Sequence, residues 1–196
     1  MKRFILTFLV TMLCVTAFAQ STEARIREEY AAAKEYVKTL SERKYAAQNR
    51  YQTTIEQRLS SSGQHKETVT MYFYENEGDY GEVINRTIMY ALVNFNLGSK
   101  KYTEEYLYDH NGKIQYIFAT TEDDDAIEFF EFRFYINEDK IVKITAKSRM
   151  AGETEFKDKY SGEVVPNEYE SYYKKYSTRA TAIATMFNSI EAATIK

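Results

Sequence analysis

The chain has 196 residues, of which 44% are hydrophobic, and a formal net charge of −3 at pH 7. This length fits one domain with a sizeable core. A mildly acidic chain is a poor candidate for sequence-independent binding to phosphate backbones, so we expect no nucleic-acid partner. The single cysteine, Cys14, excludes a disulfide framework within the chain.

The first 19 residues have the pattern of a signal peptide. Lys2 and Arg3 supply positive charge, an apolar run follows, and Ala17-Phe18-Ala19 has the small residues of a cleavage site. The apolar run is short for a membrane anchor, which needs about 20 residues. We therefore expect export to the periplasm or the exterior, cleavage near Ala19, one mature domain over residues 20–196 and no membrane span in the mature chain.

A helix is predicted from Ser21 or Thr22 to near Ala47. Apolar residues recur there at steps of three and four, which places them on one helical face. These residues are Ile26, Tyr30, Ala33, Val37 and Leu40. The next stretch, Tyr51–Ser60, permits a helix by its spacing of four. Its alternation and its adjacent threonines favour a strand.

From residue 65 onward the pattern has a period of two, typical of strands. Strands are predicted over residues 68–75 and 82–97, and then as two consecutive hairpins between Thr103 and Lys147. In the first hairpin, Asn111-Gly112 favours a two-residue type I′ turn, in which both residues have positive φ. That turn would place Leu107 opposite Tyr116. The second hairpin carries a continuous apolar face of Phe130, Phe132, Phe134 and Ile136.

The remaining chain reads as a loop or a frayed edge strand over residues 148–161, and then as a helix. Asn167 with Glu170 resembles a capping box, and helical spacing continues to near Ala193. The predicted fold class is α+β: an antiparallel meander sheet of about seven strands, flanked by an N-terminal and a C-terminal helix that pack on the sheet.

Residues for catalysis or metal binding are few. His65 and His110 are both expected to be exposed, the first in a Ser/Gly loop and the second at a turn. The acidic run of Glu122 and residues 123–125 lacks the spacing of a calcium loop. We therefore predict no catalytic residue, no metal site and no cofactor.

Tyrosine is the positive signal, since the chain has 18. Tyrosine is enriched at protein interfaces, although it also suits the half-buried face of an antiparallel sheet. The two hairpins place several tyrosines and an arginine on strands, and we predict that these residues form a ligand or partner face. The residues are Tyr106, Tyr108, Arg133 and Tyr135.

The signal-like end Ala17-Phe18-Ala19-Gln20, the Gly63-Gln64 loop, the stretch 104–108 with Asn111-Gly112, and the tyrosine-rich last helix carry a resemblance. The chain resembles uncharacterised small exported proteins of Bacteroidetes-type Gram-negative bacteria. The resemblance implies a periplasmic or secreted location and no site residue.

Three functions stay open on the sequence. The first is a non-enzymatic binding or adaptor domain, whose tyrosine-rich sheet face meets another periplasmic or surface protein. The second is a carrier that holds a small apolar molecule between a curved sheet and the helices. The third is a carboxylate-based hydrolase, in which two acids converge in a cleft.

Overall fold

The computed structural model describes residues 2–42, 49–59, 63–77, 83–97, 100–122 and 127–194, and leaves the side chains of residues 2–21, 59, 63–64, 84 and 97 undescribed. The described chain forms two helices and eight strands. Their bounds are α1 Lys2–Glu42, β1 Arg50–Leu59, β2 Gly63–Glu77, β3 Val83–Leu97, β4 Lys100–Tyr108, β5 Ile114–Glu122, β6 Glu128–Asn137, β7 Lys140–Met150, β8 Lys157–Gly162 and α2 Asn167–Ala193.

The strands form one antiparallel sheet in the order β1 to β8, so each strand pairs with its neighbours in the chain. The predicted α+β meander with flanking helices is confirmed. The stretch predicted as a strand or a helix at Tyr51–Ser60 is a strand as far as Leu59, where β1 ends, and Ser60 lies outside the described residues. The eighth strand, β8, lies in the stretch that we expected to be a loop or a frayed edge.

The turn of the first hairpin differs from the prediction. Leu107 does face Tyr116, but Gly112 alone of the Asn-Gly pair has a positive φ, of 74°. The Asp109 carboxylate accepts hydrogen bonds from the backbone N–H groups of residues 111 and 113, at 2.8 Å each, which stabilises a longer turn. The type I′ geometry occurs instead in the second hairpin, where Glu138 and Asp139 have φ of 51° and 63°.

A bulge follows the first turn and reorients one side chain. Tyr108 pairs with Ile114 and Leu107 with Tyr116, so Gln115 is the extra residue. Its amide donates to the Glu29 carboxylate of α1 at 2.6 Å. Strict alternation would have placed Gln115 on the other face, beside Ile117.

The helices cover opposite faces of the sheet. On one face α2 packs with its residues Tyr169, Tyr176, Ala180, Ile183 and Phe187 on a core that includes the predicted apolar face of β6. On the other face of the sheet, the apolar residues predicted to share one side of α1 pack on a second core, which confirms that prediction. The sheet residues of this second core are Tyr72, Met89, Tyr90, Leu107, Tyr116 and Tyr135.

The start of α2 and the end of α1 can be compared with their predicted positions. Helix α2 begins at Asn167, but Pro166 is its N-cap residue and no side chain caps it, so the predicted capping box is wrong. Helix α1 ends at Glu42, and residues 43–48, where we expected its last turn, lie outside the described part. The side chains of the predicted signal segment, residues 1–19, also lie outside the described part. No helix found within the described residues combines the length and apolarity that a membrane crossing requires.

Replacing Phe132 with alanine tests the α2-side core. Phe132 is fully buried and lies between Phe130, Phe134, Tyr169 and Tyr172, with ring centroids 5.0–5.7 Å apart. Because truncation leaves a cavity there, we expect Phe132→Ala to lower the free energy of unfolding by ~3–5 kcal/mol, measured by urea denaturation. Val164→Ala is the control, since Val164 is 71% exposed. An equal loss in both variants would contradict this core assignment.

Candidate functional site

The four residues of the predicted tyrosine-bearing face do not share one face. Tyr106 and Tyr108 lie beneath α2, at 0% and 3% exposure. Tyr135 lies on the α1 side at 1% exposure, and Arg133 is a half-buried neighbour two residues before it on β6. The three tyrosines are therefore core residues, and Arg133 is the member of the set that solvent reaches.

A buried carboxylate, Glu105 of β4, joins α1 to the sheet. It is 7% exposed and accepts hydrogen bonds from the hydroxyls of Tyr30, at 2.6 Å, and of Tyr90. The Lys34 ammonium lies 3.2 Å from its other oxygen. Burial and this carboxylate raise the pKa of both tyrosines, so they remain hydrogen-bond donors.

The preceding residue, Glu104, joins α2 to the opposite face. Its Oε2 accepts from the Tyr106 hydroxyl at 2.6 Å and lies 2.9 Å from Nε of Arg179. Nη2 of Arg179 lies 2.6 Å from Glu67, and the His65 Nε2 lies 3.5 Å from the same glutamate. This arginine therefore bridges two carboxylates of different strands.

The sequence prediction gave the wrong environment for His65. It is 8% exposed and lies in β2, where its Nδ1 is 3.0 Å from the backbone oxygen of Asn96. The expectation of an exposed loop histidine is wrong, because β2 begins at Gly63. His110 is exposed at the turn, as predicted.

The protonation preference of this cluster follows from its burial. Burial raises the pKa of Glu104 above its ordinary value, although Arg179 and the Tyr106 hydroxyl act in the opposite direction. Burial alone would lower the pKa of Arg179. The carboxylates of Glu104 and Glu67 raise this pKa by more than burial lowers it, so the arginine stays charged. The arrangement suits a structural ion pair, since the guanidinium occupies the space between the two acids.

A basic groove of about 540 Å3 lies beside α1, on the part of the sheet near β8. Four cationic residues line it, each from a different element. They are Arg27 of α1, Arg133 of β6, Lys147 of β7 and Lys159 of β8. Asp158 is the one acidic residue in its lining, which Thr145, Tyr160 and Ser161 complete.

Neighbouring carboxylates hold these cations in place. Arg27 lies 2.7 Å from Glu23 on the same helix, and the Arg133 guanidinium lies 2.5 Å from Glu131. The guanidinium of Arg133 also lies over the Phe118 ring, 5.3 Å from its centroid. Lys147 pairs with Asp158 at 3.3 Å and Lys159 with Glu128 at 3.0 Å. All four cationic side chains remain 28–53% exposed.

An aromatic groove of about 400 Å3 lies further along the same strands. Its lining includes Lys100, Phe129, Arg149 and Phe156. The Arg149 guanidinium lies 4.4 Å from the Phe129 centroid and 5.3 Å from that of Phe156. Because Arg149 follows Lys147 by two residues on β7, both side chains emerge on one face of the sheet. Cationic groups therefore continue from the basic groove into the aromatic groove.

Metal ligands do not converge in the described part of the chain: no group of three or more His, Cys, Asp or Glu residues there could hold an ion. The acidic run at residues 123–125 lies outside the described residues.

Three comparisons with known proteins, a scan against protein-family models, a search of curated proteins and a search of solved structures, return no match to this chain.

The raised pKa of Glu104 predicts a pH trend. A carboxyl whose folded-state pKa lies above its unfolded value stabilises the fold fully below the unfolded pKa, and loses that contribution as the pH rises through the folded pKa. We expect the free energy of unfolding of the wild type, relative to Glu104→Gln, to fall as the pH rises above about 4.5. Urea denaturation at several pH values measures it.

The matched control is Glu163→Gln, at an exposed position outside the cluster. Its free energy of unfolding relative to the wild type should show no such trend. A wild type that becomes more stable relative to Glu104→Gln as the pH rises would contradict the assigned environment of Glu104.

Proposed function

We propose that this protein is a non-enzymatic binding protein of the periplasm or the cell exterior, which holds an anionic ligand in the basic groove. The single observation that carries this proposal is that cationic residues of four elements line one groove with one acidic lining residue. The chain as a whole has a net charge of −3, and each of the four cations has a carboxylate partner within 3.3 Å, so a ligand anion would compete with these carboxylates. The location is proposed from the signal-like N-terminal segment.

The groove has the properties of a recognition site for an anion. A volume of about 540 Å3 lies within the range of small-molecule sites. Arg133 is half-buried between Glu131 and the Phe118 ring, which restricts its side chain. The Asp158 side chain is 85% exposed, so its pairing with Lys147 is weak and a ligand anion can replace it.

The adjoining aromatic groove adds faces for the uncharged part of such a ligand. Phe129 and Phe156 are partly exposed and flank the Arg149 guanidinium. An extended anion whose charges are separated by apolar or ring-shaped units can contact both grooves. The proposed site therefore keeps Arg133 from the predicted face and replaces its three tyrosines by basic residues.

The other two hypotheses find less support in the geometry. The contacts between each helix and the sheet are made largely by side chains with exposures of 0–9%, which favours a packed interface over a ligand space for an apolar molecule. Glu67 and Glu104 converge as a hydrolase would need, but Arg179 lies between them and Glu104 is fully buried. A general base needs access to its substrate.

Neutralising two cations of the groove tests the proposal. We expect Lys147→Gln/Lys159→Gln to weaken binding of citrate or of tri-galacturonic acid about tenfold, because each exposed charge contributes ~0.5–1 kcal/mol. Isothermal titration calorimetry at low salt measures the Kd. The two probes carry the same charge, so a preference for the longer one indicates that the aromatic groove also takes part.

The matched control is Lys140→Gln/Lys174→Gln, which removes the same charge at exposed positions outside the groove. It should leave the Kd within about twofold of the wild type at equal ionic strength. An equal loss in both double variants indicates a non-specific charge effect and contradicts a defined site. Absence of binding for both probes at millimolar concentration contradicts the proposal as well.

A further inference from the structure

We propose that β1 is a self-association surface, through which two copies of this chain join their sheets edge to edge. Strand β1 is one edge of the sheet, since its single partner in the strand order is β2. It has ten residues, contains no proline or glycine, and pairs with β2 in an uninterrupted register. A long, regular strand with no second partner among the described strands is the geometry that pairs with another strand.

One hydrogen bond shows which residues of β1 have backbone groups that β2 does not use. The N–H of Phe73 donates to the backbone oxygen of Asn49 at 3.1 Å. In an antiparallel pair, hydrogen-bonding residues alternate with residues whose backbone groups point away. Odd-numbered residues of β1 therefore bond to β2, and even-numbered residues direct their N–H and C=O groups outward. The outward residues are Arg50, Gln52, Thr54, Glu56 and Arg58.

The charges on this edge select one antiparallel register between two copies. With a two-fold axis through residue 53, Arg50 of each copy lies opposite Glu56 of the other copy, so two opposite-charge pairs form. Gln52 then lies opposite Thr54. A shift of the axis to residue 54 places Arg50 opposite Arg58, which like-charge repulsion opposes. A shift to residue 52 places Arg50 opposite Thr54 and loses the Arg50–Glu56 pairs. The favoured register makes about eight backbone hydrogen bonds.

The side chains on the other face of β1 fit the same register. Tyr51 lies opposite Ile55, an aromatic and β-branched pair of the kind that stabilises antiparallel sheets, and Thr53 lies opposite itself. Ile55 is 41% exposed in the single chain and gains a cross-strand neighbour in the pair. The pairing is isologous, so it closes as a dimer with one continuous sheet of about sixteen strands.

A charge-exchange series tests this interface by sedimentation equilibrium of the purified protein. Glu56→Arg and Arg50→Glu each place like charges opposite one another, so we expect each to raise the dimer Kd about tenfold or more. The double variant Arg50→Glu/Glu56→Arg restores the opposite-charge pairs, so its Kd should return to within about threefold of the wild type. Arg58→Glu is the control, because this register places no charged β1 residue opposite it.

A backbone variant distinguishes strand pairing from other contacts. Thr54→Pro removes an outward N–H that β2 does not use, so the chain should keep its circular dichroism spectrum and lose the dimer. A wild type that stays monomeric up to about millimolar concentration overturns the proposal. So does a dimer whose Kd changes neither in the charge-exchange series nor in a folded Thr54→Pro variant.

Discussion

Two adjacent glutamates in the middle of the sheet tie the three layers together. Glu104 and Glu105 point to opposite faces of β4, and each accepts a hydrogen bond from a tyrosine hydroxyl and pairs with a cation of the helix on its side. Removing Arg179 would leave the buried Glu104 charge uncompensated, which typically costs ~3–5 kcal/mol. The half-exposed Lys34 contributes less to Glu105. Each carboxylate is therefore tolerable only with its helix docked, and the sheet requires both helices.

Elements that obey one short-range rule were predictable from the sequence. The stripe of α1 and the alternation of Phe130, Phe132, Phe134 and Ile136 both reached the expected cores. Turn geometry was less predictable. Asn111-Gly112 has the composition of a type I′ turn, yet the Asp109 side chain captures two backbone donors and favours a longer turn. Glu138-Asp139 adopts the left-handed conformation that composition assigned to the other hairpin.

The candidate site was predictable only in part, because it depends on how separate strands are placed. Alternation shows that Arg133 and Tyr135 share a face, and that Tyr106 and Tyr108 share a face. It does not show that these two faces are opposite, and the bulge at Gln115 disturbs the count. The basic groove also needs Lys159, from a strand whose charged sequence has no apolar pattern. Arg179 is similarly remote from Glu104 in the chain, so no local pattern joins them.

The strictly sequential order of the strands has a consequence for how the chain reaches this structure. Every hairpin closes between segments that are neighbours in the chain, so the loops that must close are short and their entropic cost is small. The sheet can therefore grow by successive addition of strands to an existing hairpin, which favours rapid assembly among β-rich proteins. The contacts that span the greatest chain separation are those of the two helices. Their docking on the two faces of the sheet is then the step that completes the three-layered structure.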